Sequence, residues 1–142
     1  MQLVVMAVGK LRDAAIGKLC DEYVKRSRSF VPIERTHVSD RASLWSKLER
    51  TSSKVVLLDE RGPQIDSPTL AEWIGEWRDA AERRVTFVIG DADGFTDADR
   101  ERADALLSLS RLTLPHRIAH VVLCEQLYRA GTILAGHPYH HA

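Results

Sequence analysis

The sequence predicts an α/β three-layer sandwich on a mostly parallel sheet, and three observations carry that prediction. Continuous apolar runs at Leu3 to Val8, Val55 to Leu58 and Val85 to Ile89 lack the alternation of half-exposed strands, so they read as strands covered on both faces. Each run ends in a glycine or a charged turn, and amphipathic helical stretches separate them, which is the rhythm of a sheet with helices on both sides. The 142 residues suit one domain, residues 1–142, long enough to bury one core.

Taken in order, Leu3 to Val8 forms the first strand, and Gly9-Lys10 the turn that ends it. From Asp13 to about Arg26, Ile16, Leu19, Cys20, Tyr23 and Val24 recur at helical spacing with charges on the other face. Phe30 to Val38 is extended, and Pro32 lacks a ladder donor, which points to an edge strand. Ser39 or Asp40 caps a helix carrying Leu44, Trp45 and Leu48 before the strand Val55 to Leu58. Ser67-Pro68 opens a helix with Leu70, Ile74 and Trp77 on one face. After Val85 to Ile89, a helix is expected from about Asp97 to Leu107 and a short strand over Leu109 to Leu114. A last helix runs from Pro115 or His116 to Leu134 and leaves Gly136 to His141 as a tail.

Lys+Arg 20 against Asp+Glu 20 gives a net charge of +0, which excludes a globally basic nucleic-acid binder and leaves only local patches such as Lys25-Arg26-Ser27-Arg28. Cys20 and Cys124 lack a CxxC partner, the expectation for a reduced, cytoplasmic protein. His120, Glu125, Gln126 and Arg129 interrupt the apolar stretch Ile118 to Leu134, so no membrane span is expected. Gly90-Asp91-Ala92-Asp93-Gly94 follows a strand but matches neither phosphate-binding glycine motif, and its two carboxylates suit a cationic ligand better than a pyrophosphate. No metal is expected: His137 and His140 lack nearby ligands to complete a site.

The motifs together resemble the ribosomal RNA large subunit methyltransferase H family. The resemblance covers nearly the whole chain. It rests on Leu3 to Lys10, Leu57-Leu58-Asp59-Glu60-Arg61-Gly62, Phe87-Val88-Ile89-Gly90 with Asp93-Gly94-Phe95, Leu109 to His116, Glu125 to Ala130, and His137-Pro138-Tyr139-His140. The resemblance implies a SPOUT-type fold with a C-terminal trefoil knot, a homodimer, and S-adenosyl-L-methionine as methyl donor. The implied reaction is methylation of N3 of a pseudouridine in 23S ribosomal RNA, within the assembled ribosome. By the same likeness Leu58, Gly90, Leu109, Ser110, Arg111, Leu112, Thr113 and Leu114 line the donor, largely through backbone groups. Tyr139 and His140 stand where the family places its catalytic tail, near the donor methyl and the substrate base.

The chain departs from the family pattern in two informative places. Asp91 and Ala92 replace the second glycine and the proline of the usual Gly-Gly-Pro loop; Asp91 either strains the turn, if a positive φ is required there, or meets the donor's positive charge. His141 replaces a frequent arginine after the last motif histidine. Those departures motivate the alternative reading, a non-catalytic donor-binding or ribosome-associated dimeric module.

Overall fold

The structure, a computed structural model, describes residues 1–141; Ala142, the last position of the expected domain, lies outside the described residues. Strands β1 (Gln2–Val8), β2 (Ile33–Val38), β3 (Lys54–Leu58), β4 (Arg84–Ile89) and β5 (Ala105–Leu107) form a sheet in the order β2-β1-β4-β3-β5. Every pairing is parallel. Helices α1 (Ala14–Ser27), α2 (Leu44–Thr51), α3 (Ser67–Asp79), α4 (Asp97–Arg102) and α5 (His116–Leu134) supply the connections and the C-terminal end.

Strand periodicity sorts the apolar residues into two cores. In β1, Leu3 and Val5 face α1, α3 and α5, meeting Cys20, Ile74, Leu123 and Leu127. Val4, Met6 and Val8 face the other way, onto Leu44 and Leu48 of α2 and onto Phe95. A sheet between two helical layers results, and it explains why β1 and β4 read as unbroken apolar runs.

Local chemistry starts the helices. Asp13 accepts from the Ile16 amide (3.0 Å) to cap α1, and Asp66, one residue before the expected Ser67, accepts from the Thr69 amide (2.9 Å) to cap α3. Asp40 caps a short 3-10 turn, Arg41–Ser43, that leads into α2. Thr96 and Asp99 form a reciprocal capping box at the start of α4. β2 is an edge strand, as expected, and Pro32 lies just before it, where its carbonyl accepts from the Leu3 amide (2.9 Å) and its missing donor leaves the ladder intact.

Two expected elements change. The helix expected over Asp97 to Leu107 ends at Arg102, because Ala105 to Leu107 pairs with Val56 to Leu58 as strand β5. Helical spacing of Ala103, Leu106 and Leu107 loses to the ladder that β3 offers, a tertiary effect that a local pattern does not contain. The strand expected over Leu109 to Leu114 is instead a loop. Its alternation is satisfied by side chains: Ser108 Oγ donates to the Ser110 carbonyl (3.2 Å) and Ser110 Oγ accepts from the Leu112 amide (2.9 Å).

Candidate active site

A cleft of about 980 Å³ opens at the carboxyl ends of β3, β4 and β5, the position where open parallel sheets receive ligands. Three segments build most of it: Leu58 to Glu60 at the end of β3, Ile89 to Phe95 at the end of β4, and Leu107 to His116 from the end of β5 into α5. All eight positions named above, Leu58, Gly90, Leu109, Ser110, Arg111, Leu112, Thr113 and Leu114, line it. Leu112 stands on the rim, 77% exposed.

The segment from Asp59 to Gln64 lies directly across β5. The Asp59 amide donates to the Leu107 carbonyl (3.0 Å), and the Ser108 amide donates to the Pro63 carbonyl (3.0 Å). A Cβ on Gly62 would lie 2.7 Å from the Leu107 nitrogen and 2.9 Å from the Leu106 carbonyl carbon, so backbone meets backbone and only glycine fits. Asp59 is buried and consumed locally: it accepts from the Arg61 amide (2.8 Å) and from Arg100 Nε (2.9 Å), tying α4 to the end of β3.

At the mouth three exposed carboxylates outnumber the exposed cation Arg111. Glu60, Asp91 and Asp93 are exposed on the lining, and Asp91 Oδ1 accepts from the Asp93 amide (3.0 Å) within a turn that the Gly94 amide closes onto the Asp91 carbonyl (3.0 Å). Gly94 takes the left-handed position (φ 67°), while Asp91 is not among the positive-φ residues. The strain raised for Asp91 is therefore absent. Gly90 matters for space instead, since a Cβ there would lie 3.2 Å from the Phe95 ring. No side chain caps α5, so its first amides stay available at the cleft wall. His116, in that turn, is held below its usual pKa by burial, an effect that Asp91 partly offsets.

Tyr139 and His140 do not line the cleft. The tail folds back along α5 to the Glu125–Arg129 pair, about 9 Å of helix beyond Ala119. Glu125 Oε1 accepts from Arg129 Nε (2.9 Å), Arg129 Nη2 (2.6 Å) and the Tyr139 hydroxyl (3.1 Å). The Arg129 guanidinium also lies 4.8 Å from the Tyr139 ring centroid, and its Nη1 is 3.0 Å from His140 Nδ1. Because arginine only donates, His140 Nδ1 accepts and its Nε2 carries the hydrogen. Burial, the nearby Glu125 charge and the hydrogen bond to Glu125 push the Tyr139 phenol up to about 12. Tyr139 packs edge-on against Tyr128 at 4.6 Å.

Sequence reasoning missed the Asp59–Arg100 clamp and the role of Glu125. The four-residue spacing of Glu125 and Arg129 signals a helical ion pair, but nothing local shows that the tail returns to it. Among the described residues no group of three or more His, Cys, Asp or Glu side chains could hold a metal ion, and no helix is long and apolar enough to cross a membrane.

Comparison with known proteins places this geometry. A family model described as "Predicted SPOUT methyltransferase" matches residues 1–140. The chain is 41% identical over 154 residues to the ribosomal RNA large subunit methyltransferase H of Geobacter metallireducens, covering 100% of both chains. It is 41% identical over 143 residues to the protein of the same name from Koribacter versatilis, covering 99% of this chain and 98% of that one. Among solved structures, a probable methylase family protein from Haemophilus influenzae superposes with a TM-score of 0.61 at 12% identity, over 99% of this chain and 70% of that one. A TrmH/SpoU tRNA modifying enzyme of A. aeolicus gives 0.53 at 11%, over 95% and 77%. At such identities the two structures speak for the fold alone. The full-length match to the family and the 41% identity to its curated relatives settle membership: the chain belongs to the SPOUT methyltransferases, in the ribosomal RNA large subunit methyltransferase H family.

Proposed function

We propose that this protein is an S-adenosylmethionine-dependent methyltransferase that modifies N3 of a pseudouridine in 23S ribosomal RNA, on the assembled ribosome, as a cytoplasmic homodimer. The observation that carries this reading is the cleft: a pocket of suitable size, with apolar flanks at Leu58, Leu109 and Leu114 for an adenine and exposed carboxylates at its mouth for a sulfonium. When bound, S-adenosylmethionine supplies a methyl on positively charged sulfur, and transfer forms the N3–CH₃ bond, breaks S–CH₃ and leaves the neutral thioether. The chain's own contribution is orientation and electrostatics.

N3 is a poor nucleophile until its proton leaves. Tyr139 stays protonated at neutral pH, with its hydroxyl hydrogen held by Glu125, and the Nε2–H of His140 is buried without a partner within the chain, so both tail residues carry hydrogens rather than accept them. Donors at the two carbonyl oxygens that flank N3 stabilise its anion while the proton passes to solvent water, and a tail whose His140 Nε2–H lacks a partner fits that role better than a general base does. Within one chain Tyr139 and His140 stand outside the cleft, which supports completion of the site by the tail of a second copy. Exposed Leu112, on the cleft rim, is an apolar side chain that such a pairing covers. The close crossing of Gly62 on β5 and the bond from the Ser108 amide to the Pro63 carbonyl support the crossed chain that the trefoil knot of this reading requires.

The test is transfer of labelled methyl from S-adenosylmethionine to ribosomes and separated subunits that lack the modification, with mass spectrometry to locate it. Incorporation at a single large-subunit pseudouridine is the expected result. Donor binding with no incorporation into any particle favours the donor-binding module instead.

A further inference from the structure

A second concavity, about 790 Å³, lies beside the donor cleft and shares none of its lining residues. It is lined by Lys10, Arg12 and Lys18 together with Asp13, Asp21 and Arg35. Its carboxylates are already engaged. Asp13 caps α1 and lies 3.5 Å from Arg117, while Asp21 accepts from Arg35 Nη1 at 2.6 Å. Arg35 also donates to the Gly17 carbonyl (3.3 Å). Lys10, Arg12 and Lys18 are exposed and have no ion-pair partner among the described residues. In a chain whose charges balance overall, three free cations converge on one groove.

Position gives the groove its meaning. β1 and β4 are neighbours, with Ala7 opposite Ile89, so the loops that begin at Gly9 and Gly90 leave the sheet side by side, about one strand spacing (~4.8 Å) apart. Gly9 adopts φ 89° and turns the chain sharply into Lys10. The first turn of α5 is the ridge between the two concavities: His116 lines the cleft and Arg117 pairs with Asp13 of the groove. Gly17 on the groove wall has nothing within 4 Å of where a Cβ would sit, so the groove is open to a ligand there. A polyanion with one unit in the acidic cleft mouth would find the neighbouring cations immediately beside it.

We propose that the groove formed by Lys10, Arg12 and Lys18 holds the phosphodiester backbone of the RNA strand adjoining the nucleotide that enters the cleft. The inference rests on the RNA methyltransferase reading and adds to it a docking surface outside the donor pocket. Contacts of this kind fix register and orientation and are not sequence-specific. They also work against the repulsion that Glu60, Asp91 and Asp93 exert on the same strand at the cleft mouth.

The test measures affinity of the full-length protein for large ribosomal subunits lacking the modification, over a range of about 50 to 300 mM salt. The variant Lys10→Gln/Arg12→Gln/Lys18→Gln is expected to bind at least about tenfold more weakly near 100 mM salt. Its log affinity should fall less steeply with log salt, by about 2 for three lost phosphate contacts. Affinity for S-adenosylmethionine should stay within twofold, showing that the fold and cleft survive. Arg83→Gln, at the opposite end of the sheet, removes a charge without changing either quantity. Unchanged RNA affinity and salt slope in the triple variant would overturn the proposal. So would a variant that alters the association state while RNA affinity holds, because the cations would then face a protein chain. A wild-type protein that binds subunits through these cations but transfers no methyl leaves the groove standing and removes the enzymatic reading; one that does not bind subunits removes both.

Discussion

The cleft and the tail are built by opposite means. Around the cleft the decisive contacts are main-chain: Asp59 to Leu107, Ser108 to Pro63 and Gly94 to Asp91, with glycine at the two closest approaches, Gly62 and Gly90. In the tail nearly everything passes through side chains, and one carboxylate oxygen, Glu125 Oε1, receives Arg129 twice and Tyr139 once. A site made of backbone tolerates exchange of the side chains that project from it, which explains how Asp91 and Ala92 occupy a turn where the family pattern has glycine and proline. A site made of side chains has no such tolerance.

The harshest way to break the backbone half is at the crossing over β5. Gly62→Ala places a methyl 2.7 Å from a main-chain nitrogen, and neither partner is a flexible side-chain end that can swing aside. We expect a loss of about 3 kcal/mol in urea unfolding, with donor affinity falling as the Asp59 to Gln64 segment lifts. A loss below about 1 kcal/mol would mean that the segment is not clamped to β5.

The corresponding break in the tail is Arg129→Ala. It removes the cation between Glu125, the Tyr139 ring and His140, and methyl transfer should slow about 100-fold, roughly 2.7 kcal/mol of barrier, while donor affinity stays within twofold. Arg129→Lys keeps the charge but not the fork that reaches Glu125 and His140 together, so it should restore only part of the rate. Equal losses of rate and donor affinity would contradict the separation of the two regions.

The same contrast decides what the sequence reveals. Buried strands β1, β3 and β4 are legible because their composition reflects two covered faces, whereas the eight cleft positions come from the family resemblance; they fall at the end of β3, just after β4 and on the loop that leads into α5. β5 is not legible, since three residues of helical spacing become a strand only when β3 is beside them. Nor is the return of the tail to Glu125, which depends on Gly136 (φ 70°) reversing the chain after α5. Lys10, Arg12 and Lys18 read as ordinary solvated charges until β1 and β4 are known to be neighbours.

His120 lies on α5 between the regions and sharpens the comparison through pH. It is 3% exposed, both ring nitrogens lack partners, and burial first, then His116 and Arg35, lower its pKa to about 4. The unfolded chain takes up the proton near the ordinary value of about 6.5 and the folded chain resists until about 4, so stability falls as pH drops through that window. Between about pH 7 and pH 5 this amounts to about 2 kcal/mol. His120→Leu should flatten that limb in unfolding measured across pH; an unchanged slope would show that the ring is solvated.

The mildest test lies at Gly90. Its φ is not positive, so alanine meets no backbone strain, and the nearest atoms are the edge of the Phe95 ring at 3.2 Å. Phe95 is buried in the α2-side core, so shifting its ring by the few tenths of an ångström that a methyl needs disturbs that packing, and Gly90→Ala should cost about 1 kcal/mol of stability. The same methyl narrows the cleft where main chain faces the ligand, so donor affinity should fall by more than the stability loss accounts for. Asp91→Asn is the paired control: it keeps the turn and removes one carboxylate, so it should weaken a sulfonium donor a few-fold while leaving binding of the neutral thioether product nearly unchanged. If both variants weaken the two ligands equally, shape alone governs the cleft; a selective loss for the charged donor in Asp91→Asn shows that its acidic mouth reads charge while its backbone reads form.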